Sequence, residues 1–346
     1  MTDLNVYRCT PRQTRKFITR CLYANVVPFV QSSPGMGKSS IVHSISDELN
    51  LHLIDHRLST SAPEDLSGLP RFTADGFAEF APFADLFPLE STPLPEGKDG
   101  WLLFLDEFNS ASKSVQAAAY KLILDRKVGQ HKLHERVAVV CAGNLASDRA
   151  LTSQLSTAMQ SRLIHIEMQI NFEEWLYDVA LAQDYDLRII AYLNNKNSAL
   201  MDFRPDHNEK TFCCPRTWEF MNRLIKDKPV TNEDTPLYAG CITSGEAVEF
   251  AQFTQIFDKM VKIEDILNDP ENCGIPSENS TRWAVISMMM SKIDENNFED
   301  LSTYANRFDM TFRILFFRSV MVRSPALRTH PAFAKAMTQL SRYLHG

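Results

Sequence analysis

No apolar run in the 346 residues approaches the ~20 needed to span a bilayer. The opening stretch, MTDLNVYRCTPRQTRKF, holds no apolar core of the kind that marks a secretory leader. A cytoplasmic protein without a membrane partner is the expectation. Basic residues are also in short supply. There are 36 Lys and Arg against 43 Asp and Glu, for a net charge of −7. That balance argues against a surface that coats itself in nucleic-acid phosphates. Among seven cysteines there is no C-x-x-C pair, and only Cys213 and Cys214 are adjacent. Zinc ribbons and disulfide frameworks are thereby disfavoured, and reduced structural thiols are expected. His131 and His134 lack partners at metal-ligand spacing, so no site built only of protein ligands is expected.

What is present is the composition of a folded globular chain, with 44% hydrophobic and 23% charged residues. The length allows two or three domains. Apolar runs of strand character recur in VVPFVQSS (26–33), LHLIDHRL (51–58), WLLFLDEF (101–108), RVAVVCAGN (136–144) and RLIHIEM (162–168). Helical spacing separates several of them, at 39–50, 112–127 and 151–160. Strands alternating with helices predict an α/β fold with a five-stranded parallel sheet covered on both faces. Two stretches read as hairpins: GLPRFTADGFAEFAPF (68–83), turning at Asp75-Gly76, and RKVGQHKLHERV (126–137), turning near Gly129-Gln130. After Met168 the pattern becomes all-helical, with helices expected over 172–182, 186–195, 215–225, 244–261, 282–293, 303–322 and 331–344.

Three motifs carry chemistry. SSPGMGKSS (32–40) joins the first strand to a helix and matches the phosphate-loop pattern G-x-x-x-x-G-K-[ST], except that Ser32 stands where its first glycine belongs. Backbone N–H groups along Pro34, Gly35, Met36, Gly37, Lys38, Ser39 and Ser40 can wrap phosphate, Pro34 having none of its own to offer. Lys38 would neutralise the β- and γ-phosphates, and the Ser39 hydroxyl would bind Mg²⁺. WLLFLDEF ends in Asp106-Glu107 at the carboxyl end of a buried strand, where ligands bind in open α/β sheets. Asp106 would hold Mg²⁺ and Glu107 would polarise the attacking water. VVCAGN ends in Asn144, a neutral amide that can orient that water or touch the terminal phosphate. A basic helical face at Arg12, Arg15, Lys16 and Arg20 reads as a solvated face in so acidic a chain.

These motifs, in this order, resemble those of the AAA+ ATPases. The nearer resemblance is to the MoxR-like branch, of the type encoded beside von Willebrand factor A-domain proteins. It rests on DLSGLPRF, LDEFNSASKSVQAAAYKLILDRKVG, VAVVCAGN, AMQSRLIHIEM, NFEEWLYDVAL, CCPRTWEF and GEAVEFAQF, and it covers roughly residues 8–255. The resemblance implies an AAA+ core over 1–169 with a hairpin inserted in its second helix. A helical lid over 170–226 and a helical C-terminal domain over 227–346 would follow. It implies ATP and Mg²⁺ as ligands, with Lys38 and Ser39 as Walker A, Asp106 and Glu107 as Walker B, and Asn144 as sensor 1. Arg162, in QSRL, corresponds to the arginine finger acting on a neighbour's nucleotide, and Arg216, in PRTW, to sensor 2. Arg149 is a rival for the finger. Leu163 stands where Phe often follows that arginine. A homo-oligomeric ring, most readily a hexamer, and remodelling of a protein partner are the implied function. The alternatives are a nucleic-acid motor or helicase loader, and a nucleotide-gated scaffold with little turnover. Arg71, Phe72, Phe77, Phe80, Lys127, His131 and Lys132, on the two hairpins, could then face a central channel.

Overall fold

The structure is a computed structural model that describes residues 7–83, 86–148, 155–257 and 262–344. The chain divides into two compact units, Met1–Ile170 with Arg204–Asp206, and Asn171–Phe203 with His207–Gly346.

The first unit is built on a parallel sheet of six strands: β1 (Arg8–Cys9), β2 (Val27–Ser32), β3 (Leu51–Arg57), β6 (Gly100–Asp106), β9 (Val137–Asn144) and β10 (Leu163–Met168). Their order is β1-β10-β2-β9-β6-β3. The strand beyond the five expected is β1, which adds Arg8 and Cys9 beside Glu167 and Met168 at one edge. Two residues carry no periodicity, so nothing in the sequence marks them as a strand. The Arg8 guanidinium fixes that edge by donating to Glu167 at 2.8 Å.

Every residue of β6 is buried, as befits a central strand with both faces covered. Trp101, Leu103 and Leu105 pack with Phe29, Val139 and Cys141 against Val115, Ala119 and Leu122 of helix α4 (Lys113–Leu124). Helices α1 (Pro11–Tyr23) and α2 (Lys38–Glu48) bury Ile18, Val42 and Ile45. Thr10 caps α1 in a capping box with Gln13, and Pro11 occupies its first turn. The Arg15 face of α1 pairs with Glu48 of α2 at 2.6 Å. Short helices α3 (Pro63–Ser67) and α5 (Thr157–Gln160) complete the layer. Of the helix expected over 151–160, Thr157–Gln160 is helical, Leu155 and the extended cap Ser156 are not, and 151–154 lie outside the described residues.

Both expected hairpins form. Strands β4 (Leu69–Phe72) and β5 (Ala78–Ala81) pair antiparallel around Asp75-Gly76, with Gly76 at φ 80°. Strands β7 (Lys127–Val128) and β8 (His131–Lys132) pair around Gly129. The first hairpin interrupts the helical layer directly after α3, and its tip leaves Phe72 83% and Phe77 73% exposed. Its root is Gly68, at φ 89°, where a Cβ would lie 2.5 Å from the Ala81 carbonyl oxygen. An alanine there meets rigid backbone in a conformation costing about 1–3 kcal/mol. Gly68→Ala is therefore expected to loosen the hairpin locally. Tryptic cleavage after Arg71 should accelerate about 10–100-fold by mass spectrometry while the global melting transition moves little.

The second unit is helical among its described residues. Trp218, fully buried on helix Pro215–Ile225, donates its indole N–H to the Ala199 carbonyl at 2.7 Å. Tyr192 stands edge-on to Phe250 and Phe253, and its hydroxyl donates to Glu246 at 2.5 Å. Arg188 closes the end of helix Pro215–Ile225 by donating to the carbonyls of Ile225 and Lys228, both at 2.8 Å. The single helix expected over 303–322 is two, Phe298–Ala305 and Met310–Arg323. Asp309, extended at φ −61° and ψ 158°, starts the second and pairs with Arg282 at 2.6 Å. An ion-paired aspartate at a helix start breaks a run whose apolar spacing alone reads as continuous. Short helices Thr235–Ala239 and Ile263–Asn268 lie between the expected helical stretches.

All seven cysteines are free thiols. Burial pushes the Cys213 thiol up to about 12 and the Cys241 thiol up to about 11, so both stay protonated and inert at neutral pH. Among the described residues no helix is long and apolar enough to cross a membrane.

Candidate active site

The first strand in the chain to enter the sheet's interior, β2, lies between β9 and β10, so the chain's path reverses there. Crevices at the carboxyl ends of strands at such a reversal are where open α/β sheets bind ligands. The register puts Ser32 of β2 opposite Asn144 of β9. Asp106 ends the next strand, β6. Lys38, Ser39, Asp106, Glu107 and Asn144 thus converge on one edge.

The loop from Pro34 leads into α2. Gly35 at φ 75° and Gly37 at φ 88° turn it through conformations that L side chains resist. Gly37 caps α2, whose first turn carries no acid, so the positive end of the helix dipole is unopposed at the loop. A helix start of this kind, with N–H groups lacking intrahelical acceptors, suits a phosphate.

Lys38 folds back over the loop. Its ammonium donates to the Ser32 carbonyl at 3.1 Å, Ser32 Oγ at 3.0 Å and Asn144 Oδ1 at 3.3 Å. Ser32 is extended and buried, so it occupies the glycine's place without strain and adds an acceptor that glycine would lack. The Ser39 hydroxyl donates to Asp106 Oδ2 at 3.3 Å. Two hard oxygen donors side by side fit Mg²⁺, which prefers a few protein oxygens and takes its remaining ligands from phosphate and water. No cluster of three or more His, Cys, Asp or Glu side chains among the described residues could hold a metal alone.

Glu107 sits in the left-handed region at φ 54°, which throws its side chain off the line of β6. Its carboxylate accepts from Ser59 Oγ and lies 3.5 Å from Arg57 Nε. Arg57 ends β3 and Ser59 lies in the turn Leu58–Thr60 that follows. Ser59 occupies one acceptor site of this carboxylate, which keeps further lone pairs to which a water can donate. Neither Arg57 nor Ser59 is marked by any motif. A third unforeseen residue is Asn109, which grips the backbone of Asn144 at 2.7 and 3.1 Å.

Arg162 does not join this group. Arg162 is exposed just before β10, donating to the Ala158 carbonyl at 2.9 Å with its guanidinium over the Tyr120 ring. Because Leu163 pairs with Val27, Arg162 stands at the amino end of the sheet. Ser32 is six residues further along β2 than Val26, or about 20 Å at ~3.3 Å per residue. Arg216 belongs to the second unit, exposed at the second position of helix Pro215–Ile225. Arg149 lies outside the described residues.

No protein-family model matches the chain. No curated protein matches it in sequence. Solved structures that align with the chain include NtrX from Brucella abortus, at 11% identity over 99% of this chain and 68% of that one, with a TM-score of 0.38. The RuvB Holliday junction branch migration motor of Thermotoga maritima shares 16% identity over 86% of this chain and 87% of its own, with a TM-score of 0.36. A Cytophaga hutchinsonii protein described as a candidate ATPase shares 12% over 96% and 88%, with a TM-score of 0.36.

Proposed function

We propose that this chain is a Mg²⁺-dependent AAA+ ATPase of the MoxR-like kind, which assembles into a ring and uses ATP to remodel a protein partner. The observation that carries the ATPase reading is the convergence of Lys38, Ser39, Asp106, Glu107 and Asn144 on one helix start at the carboxyl edge of the sheet. In it, Lys38 and the loop N–H groups hold the phosphates, and Ser39 and Asp106 hold Mg²⁺, which neutralises phosphate charge when bound. Glu107 is the base and Asn144 orients the water or the terminal phosphate. The branch, the lid at 170–226, the C-terminal domain at 227–346, the hexamer and a von Willebrand factor A-domain partner rest on the sequence resemblance. Arg216 as sensor 2 rests there too.

Arg162 supports the ring. It stands about 20 Å along the sheet from its own phosphate loop, well beyond the reach of one side chain. If it stabilises transition-state charge, it does so in a neighbouring subunit, where such an arginine is worth about 10³–10⁵ in rate. Arg162→Ala is expected to bind ATP normally and to hydrolyse almost none. Mixing it with Lys38→Ala should restore turnover that neither variant has alone, because an intact Lys38 then meets an intact Arg162 across some interfaces. The mixture is read by phosphate release after co-assembly is verified by light scattering. Co-assembly without recovery would remove Arg162 from the role, and the same mixture made with Arg149→Ala tests the rival.

A further inference from the structure

Strand β9 outruns its neighbour. Its pairing with β6 ends at Leu105 opposite Cys141, while its pairing with β2 continues to Ser32 opposite Asn144. At Asn144 the place of β6 is taken by a side chain. Asn109 Nδ2 donates to the Asn144 carbonyl at 2.7 Å, and Asn109 Oδ1 accepts from the Asn144 N–H at 3.1 Å. A primary amide has the donor and acceptor of a peptide group, so Asn109 completes the ladder where the strand has turned away. The amide's orientation is fixed, since only its oxygen can accept the Asn144 N–H. The clamp is buried, with Asn109 4% exposed.

A neighbouring residue makes room for it. Gly143 interrupts an otherwise β-branched and apolar strand, and a Cβ there would lie 2.2 Å from Asn109 Oδ1. Asn109 also sits in the turn Phe108–Ser110, which begins at Glu107 and is closed by the Ser110 N–H donating to the Glu107 carbonyl at 3.0 Å. One side chain therefore ties the turn that carries Glu107 to the strand end that aims Asn144 at Lys38.

We infer that Asn109 is a positioning residue for ATP hydrolysis, acting through Asn144 and, with Gly143, holding that amide in register with Glu107. The inference rests on the ATPase reading above. A displacement of about an ångström at a reacting centre costs on the order of 10²-fold in rate with little change in ground-state binding. Asn109→Ala is expected to lower kcat about 10–100-fold while the Kd for ATP stays within about threefold. Gly143→Ala should give the same phenotype by evicting the Asn109 amide. In an Asn144→Ala background Asn109→Ala should cost less than it does in the wild-type chain, because the amide it positions is gone and only its tie to the Glu107 turn is lost. If the alanine variant unfolds, Asn109→Asp carries the same test, since it keeps the size and the acceptor but cannot donate to the Asn144 carbonyl. The kinetics are read beside backbone hydrogen exchange over 137–144, which should rise in each Asn109 variant. Unchanged kcat in the Asn109 variants beside an impaired Asn144→Ala would overturn the positioning role alone. So would losses that multiply in the double variant. A wild-type chain that does not hydrolyse ATP would overturn the ATPase reading and, with it, this role.

Discussion

Glu107→Gln is expected to bind ATP as the wild-type chain does and to hydrolyse it about 10²–10⁴-fold more slowly, the usual loss when a general base is removed. The substitution keeps volume and shape. The amide oxygen can still accept from Ser59, and the pair with Arg57 is an exposed one, at 59% and 36%, whose loss costs little in stability. What goes is the basicity of the Glu107 carboxylate, since an amide oxygen accepts a hydrogen bond but does not take up a proton at neutral pH. Single-turnover phosphate release beside calorimetric ATP binding separates the two effects. Turnover within a few-fold of wild type would place the base elsewhere.

Lys38→Ala has the other large effect, on binding. Its ammonium is held at 3.0–3.3 Å by Ser32 and Asn144 and stands over the glycine turn, so a phosphate at the loop meets it directly. Two charge-assisted hydrogen bonds at about 1.5–3 kcal/mol each amount to ~10²–10⁴ in Kd. The fold should survive, because Ser32 remains paired in β2 and buried without the lysine. Calorimetric titration with ATP checks this, and an unaltered Kd would remove Lys38 from the phosphate site.

The legible parts of the site were those in which one local stretch encodes both position and chemistry. Gly37-Lys38-Ser39 follow a β-branched run and precede helical spacing, and Asp106-Glu107 end an unbroken apolar strand. Both hairpins announced themselves through glycine turns. The residues that escaped notice depend on neighbours far along the chain. Asn109 meets Asn144 from 35 residues away, and an Asn in a turn is otherwise unremarkable. The signal that could have found it was Gly143, since an isolated glycine inside a strand marks close approach by another group. Arg57 and Ser59 follow a strand as ordinary polar residues, and only the left-handed turn at Glu107 brings that carboxylate to them. The break at residues 306–309 was hidden because Arg282, which pairs with Asp309, lies 27 residues away.

The most direct test of the account is phosphate release from ATP by the wild-type chain, measured with Mg²⁺ and again with excess EDTA. The account predicts turnover that requires Mg²⁺ and rises per chain with protein concentration as subunits supply Arg162 to one another. Absence of Mg²⁺-dependent release at any concentration, or equal release from Glu107→Gln, would contradict it.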